Sequence, residues 1–144
     1  MDEPEAWTEL TDPPLRAGFR VQAGLAVVCT VVNAGARPAY LAVTTSRTAH
    51  RWADLDVAAT VAGVPLADPA ADAPFLGGPA TAVLLEPGES DVRTVPLAEY
   101  VELPAGASGR LELRLTRRIG LGPDPVAVFT DDPVVVVLEL ALEL

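Results

Sequence analysis

The chain has no lysine, one cysteine and one histidine in 144 residues, and its aromatic content is three Phe, two Trp and two Tyr. A single cysteine excludes an internal disulfide and any multi-cysteine zinc site. A single histidine, His50, excludes the H-E-x-x-H helix of zinc proteases. Basic residues are scarce as well: ten, all arginine, against twenty acids, for a net charge of −10. Phosphate-backbone binding needs a basic face, so nucleic acid is not an expected partner. The longest apolar run, Val134 to Leu138, is far short of the roughly 20 residues that span a bilayer, so no membrane role is expected. The opening Met1-Asp2-Glu3-Pro4-Glu5 lacks the basic start and the apolar stretch of about 7–15 residues that mark a secretory signal. The expected address is therefore the cytoplasm, and an unpaired Cys29 agrees with it.

What the chain does have is apolar material in period 2. Half its residues are hydrophobic, enough for a core in one domain. Leu25, Val27, Cys29 and Val31 alternate with Ala26, Val28, Thr30 and Val32, a run apolar on both faces and so suited to a central strand. Leu55, Val57, Ala59 and Val61 alternate with Asp54, Asp56, Ala58 and Thr60. Leu111, Leu113 and Leu115 alternate with Arg110, Glu112, Arg114 and Thr116. The chain closes on Val134, Val136, Leu138, Leu140 and Leu142, set against Val135, Val137, Glu139, Ala141 and Glu143. Successive side chains of a strand face opposite ways, so each run buries one face and wets the other. Shorter alternations at Phe19–Val21, Ala39–Thr44, Val83–Leu85 and Val92–Leu97 fill the gaps. Fourteen Pro and eleven Gly leave few windows for helices. Short helical turns are conceivable only at Thr45–Ala53 and after Pro96. These features predict an all-β, antiparallel sandwich of seven or eight strands over residues 15–144. A loose acidic arm is expected over residues 1–14. Residues 67–79 and 119–125 read as loops.

Three segments add a resemblance. Val31-Val32-Asn33-Ala34-Gly35-Ala36-Arg37-Pro38 resembles the V-x-N-x-G-x-x-P turn of bacterial immunoglobulin-like sandwiches. Leu85-Glu86-Pro87-Gly88-Glu89-Ser90 resembles their L-x-P-G-E-S turn. Val95 to Tyr100, followed by Leu103 to Gly106 and a strand, resembles their penultimate hairpin. Over about residues 24–116 this order is similar to the sandwich that accompanies deuterolysin-type metalloproteases and to the bacterial intracellular proteinase inhibitor. The resemblance implies an immunoglobulin-like module. Inhibition of an intracellular protease, or an accessory-subunit role, is the function it suggests; the zinc helix of the metalloprotease has no counterpart.

Candidate chemistry is sparse. Ser46 precedes His50 by four residues, and Asp54 and Asp56 follow, so a small hydrolase is one reading. Against it, no G-x-S-x-G elbow is present. Asp54, Asp56, Asp131 and Asp132 offer oxygen ligands for calcium, but no D-x-D-x-D-G loop frames them, and alternation places Asp54 and Asp56 on a wet face. No catalytic, metal or cofactor site is therefore assigned. Cys29, on the inward row, reads as core. The most unusual segment is Arg47-Thr48-Ala49-His50-Arg51-Trp52. Arg and Trp carry energy at interfaces, so Arg47, His50, Arg51 and Trp52 form the candidate partner surface of a non-enzymatic protein-binding module. The alternative is that Trp52 plugs one end of the sandwich. A second basic cluster, Arg114 with Arg117 and Arg118, ends a strand. The C-terminal strand, if it lies at a sheet edge, is a candidate for homodimer pairing.

Overall fold

The computed structural model describes residues 3–44, 47–48, 51–52, 54–69, 80–122 and 134–144. It is all-β: two antiparallel sheets face one another as a sandwich. The first sheet holds β1 (Glu5–Thr11), β2 (Pro14–Gln22), β3 (Ala26–Asn33) and β10 (Ser90–Pro96), in the order β1-β2-β3-β10. The second holds β4 (Ala39–Thr44), β7 (Leu55–Val61), β8 (Val64–Pro65), β9 (Ala80–Leu85) and β11 (Arg110–Leu121), in the order β8-β7-β11-β4-β9. It is completed by β12 (Val134–Glu143), paired to β11. A two-residue hairpin, β5 (Arg47–Thr48) with β6 (Arg51–Trp52), stands apart from both sheets. Among the described residues no helix is long and apolar enough to cross a membrane.

The period-2 rows become the core. Leu111, Leu113, Leu115 and Ile119 of β11 face Val27, Cys29 and Val31 of β3 and Leu15, Ala17, Phe19 and Val21 of β2 within one buried cluster. Each large aliphatic side chain buried there contributes about 1.5–3 kcal/mol of transfer free energy. The first run does form an interior strand, since β3 lies between β2 and β10. It begins at Ala26 rather than Leu25, because Leu25 sits in the β2–β3 turn at φ 59.

Two turns noted in the sequence are joined in space. Asn33 is buried, and its Nδ2 donates to the carbonyls of Arg37 (2.8 Å) and Leu85 (2.9 Å). Its Oδ1 accepts from the Gly35 N–H, closing the β3–β4 turn. Its backbone carbonyl accepts from Gly88, and its N–H donates to the Glu89 carbonyl, in the β9–β10 turn. One side chain and its own peptide groups therefore fix both connections at the same end of the sandwich.

The structure departs from the sequence reading at several places; residues 119–121, expected to open a loop, instead continue β11 to Leu121, with Ile119 in the core. Residues 5–11 are not a loose arm: they pair with β2 from Glu5↔Arg20 to Thr11↔Pro14. Glu5 and Glu9 are on the wet side of an edge strand, while Ala6 and Leu10 pack against the core. Trp7 lies opposite Gly18, where a β-carbon would collide with the indole, and its ring carries the Arg16 guanidinium 5.1 Å from the centroid. Second, the 45–53 region holds the β5–β6 hairpin where a helical turn was conceivable. The turn after Pro96 is present as a 3-10 helix over Leu97–Glu99. Third, the described residues hold nine strands of six or more residues and three of only two, more than the seven or eight expected.

Candidate functional site

The β5–β6 hairpin leads directly into Asp54 and β7, which places the arginine- and tryptophan-bearing segment at the margin of the sandwich. Its register pairs Arg47 with Trp52 and Thr48 with Arg51. His50 and Ser46 lie outside the described residues. Trp52 is half-buried and is held from two directions. Its backbone N–H donates to the Tyr100 hydroxyl at 3.2 Å, and Tyr100 is fully buried just after the 3-10 turn. Its ring covers the Arg93 guanidinium, 4.9 Å from the centroid.

Arg93 belongs to a buried ionic cluster. It points inward from β10, beside Cys29 of β3. Its Nη1 donates to Asp54 Oδ1 at 2.7 Å, and its Nε lies 3.6 Å from Asp91 Oδ2. Arg117 Nη2, from β11 in the other sheet, donates to the same Asp91 oxygen at 3.0 Å. Among the described residues, two guanidinium and two carboxylate groups thus meet between the sheets and balance in charge. Isolated charges could not be buried here at tolerable cost, and their mutual pairing offsets that cost. Arg117 is 3 % exposed, and its Nη1 has no hydrogen-bond partner among the described residues.

The cluster revises the earlier placement of several residues. Asp54 is not on a wet face: it is 2 % exposed and clamped by Arg93, while Asp56 is exposed as expected. The expected wet face fails for Asp54 because it precedes the first residue of β7, where the chain turns in from the hairpin. Asp54 is thus engaged by the Arg93 guanidinium. The basic cluster at the end of β11 divides by phase. Arg114 and Arg118 face solvent, whereas Arg117 continues the Leu111-Leu113-Leu115 row into the interior. Strict alternation carried two residues past Leu115 is the signal that could have found it. Asp91 and Arg93 occupy the inward phase of β10 in the same way.

Cys29 is buried, 1 % exposed, with its thiol pushed up to about 11, chiefly by burial and only partly offset by Arg117 and Arg93. Such a thiol is a core group rather than a nucleophile. Among the described residues no group of three His, Cys, Asp or Glu could hold a metal ion; Asp131 and Asp132 lie outside them. A groove of about 590 Å³ runs along the outer face of β7, β11 and β12, floored by Ala58 and Ala141. Its wall charges neutralise one another, Arg110 with Glu112 at 2.9 Å and Arg114 with Glu139 at 3.8 Å.

No family model matches the chain, and neither a curated protein nor a solved structure matches it.

Proposed function

We propose that this chain is a non-enzymatic protein-interaction module of the immunoglobulin-like sandwich class, acting in the cytoplasm. In this reading it meets its partner with the hairpin that carries Arg47, His50, Arg51 and Trp52. The observation that supports the reading is the way Trp52 is mounted. A half-buried indole rests on an arginine that two carboxylates hold in place, and a buried tyrosine hydroxyl fixes its backbone. Interface energy concentrates in aromatic and arginine side chains, and a pre-organised anchor loses little conformational entropy on binding. The immunoglobulin-like assignment draws support from the two turns bound together by Asn33 and from the antiparallel pairing of both sheets.

The sharpest form of the proposal is inhibition of an intracellular protease. Its test is incubation of the purified chain with a set of such proteases under steady-state turnover. Inhibition is expected, with the chain left intact. Reversing charge by Arg47→Glu and Arg51→Glu should weaken inhibition about tenfold or more while leaving the folded signal unchanged, since truncating an interface anchor costs upward of 1 kcal/mol. Full protease activity together with cleavage of the chain within its loops would remove this form.

A further inference from the structure

The C-terminal strand offers a surface that the hairpin reading does not use. One edge of β12 pairs with β11 along its length, from Ile119↔Val134 to Arg110↔Glu143. The opposite edge pairs with no strand among the described residues. Natural edge strands are protected by proline, lysine, bulges or inward charges. Val134–Glu143 has none of the first two, its inward row is entirely apolar, and its register with β11 is unbroken. Val135 and Val137 stand on the outer face at 53 % and 44 % exposure.

We propose that this edge pairs antiparallel with β12 of a second copy of the chain, about a two-fold axis at Leu138. The register follows from the side chains. Because a strand's faces alternate, inward residues must oppose inward residues, so the axis must pass through a residue position. An axis at Glu139 sets Glu139 against its own copy, a like-charge pair in direct opposition. An axis at Val136 or Val137 leaves the end of the strand unpaired, and one at Leu140 leaves its start, Val134 and Val135, unpaired. An axis at Leu138 uses residues 134–142 of both chains. It opposes Val134 to Leu142, Val136 to Leu140 and Leu138 to itself on the inner face. On the outer face it opposes Val135 to Ala141 and Val137 to Glu139, and no acid faces an acid. Glu139 keeps its own-chain partner Arg114. This self-matching pattern, on an edge that pairs with no strand among the described residues of an acidic chain, selects a second copy as the occupant: most other acidic segments would bring a carboxylate opposite Glu139. The result is one sheet continuous through two chains, an isologous interface.

The register makes opposite predictions for two substitutions at one exposed position. Sedimentation equilibrium should give a particle of two chains. Val137→Glu sets a carboxylate against the partner's Glu139, twice by symmetry, and should weaken self-association about tenfold. Val137→Lys sets an ammonium against the same Glu139 and should leave association as tight or tighter. In addition, the double variant Val135→Cys with Ala141→Cys should oxidise to a covalent dimer, since these positions oppose one another only between chains. A single chain at concentrations up to about 1 mM would overturn the proposal. So would equal weakening by Val137→Glu and Val137→Lys, or failure of the cysteine pair to cross-link. The unfolding midpoint of each variant, measured in urea as the monomer, separates loss of pairing from loss of fold. Failure of this dimer leaves the hairpin reading intact, because that reading is tested on proteases.

Discussion

Replacing Asp54 by Ala removes one carboxylate from the ionic cluster and leaves its partner in place. The side chain of Asp54 is 1 % exposed and that of Arg93 8 %, and their bond of 2.7 Å is the shortest contact in the cluster. After the substitution, Arg93 and Arg117 share Asp91 alone, so the interior carries an uncompensated positive charge. Breaking a buried pair by deleting one member costs about 3–5 kcal/mol, because the remaining ion keeps its desolvation penalty without its partner. For a domain of this size that is roughly a 10 °C fall in Tm. The assay is urea unfolding followed by tryptophan fluorescence, in which Trp52, stacked on Arg93, reports on the site and Trp7 on the first sheet. The decisive comparison is a double-mutant cycle with Arg93→Met. Removing both partners leaves no orphaned charge at that pair, so the double variant should be more stable than the sum of the two losses by about 1.5 kcal/mol or more. A loss below about 1 kcal/mol for Asp54→Ala, or additivity in the cycle, would refute the view that this pair holds the site together.

Two further outcomes are expected from the packing. Leu113→Asp should unfold the chain, since it puts a carboxylate on a side chain position that is 2 % exposed, whereas Arg114→Asp, on the wet face, should cost about 0.5 kcal/mol; circular dichroism of the two would expose a misread face if they behaved alike. Stability should also fall at alkaline pH through Cys29, whose folded value is raised from 9.0 to about 11. The unfolded thiol loses its proton first, so stability is complete below pH 9 and declines as pH rises toward 11, by about 2–3 kcal/mol in all. Cys29→Ala lacks this decline, and the parent should therefore lose ground to it across that window in urea titrations; parallel curves would contradict the buried-thiol account.

The rows that built the core were legible because they are long and uniform. Leu111, Leu113 and Leu115 leave no ambiguity of phase, and neither does the row from Val134 to Leu142. The first strand was not legible, because an edge strand buries only Ala6 and Leu10 and spends its other positions on acids and a tryptophan. The ionic cluster was hidden for a different reason. Alternation does place Arg117, Arg93 and Asp91 on inward phases, but an inward charge is credible only when its counter-charge is known. Those partners are distant in the chain: Asp54 lies 39 positions from Arg93, and Asp91 lies 26 from Arg117. The same holds for Asn33, whose turn is readable locally while its bond to Leu85 spans 52 positions.

Local pattern therefore yields which way a residue points, and only the pairing of sheets yields what it meets. The hairpin of Arg47 to Trp52 shows both halves of that division. Its composition marked it as unusual, yet the features that would make it an anchor come from elsewhere: Tyr100 beyond the 3-10 turn, and Arg93 clamped by Asp54 and Asp91. The edge of β12 is the reverse case. Its side chains were plain in the sequence, and what it lacked among the described residues was a strand paired to its second edge, which is a property of the fold alone. An edge of this length without lysine or proline to guard it, and with no inward charge, is a liability unless something covers it, and its own copy is the covering that keeps every carboxylate from facing another.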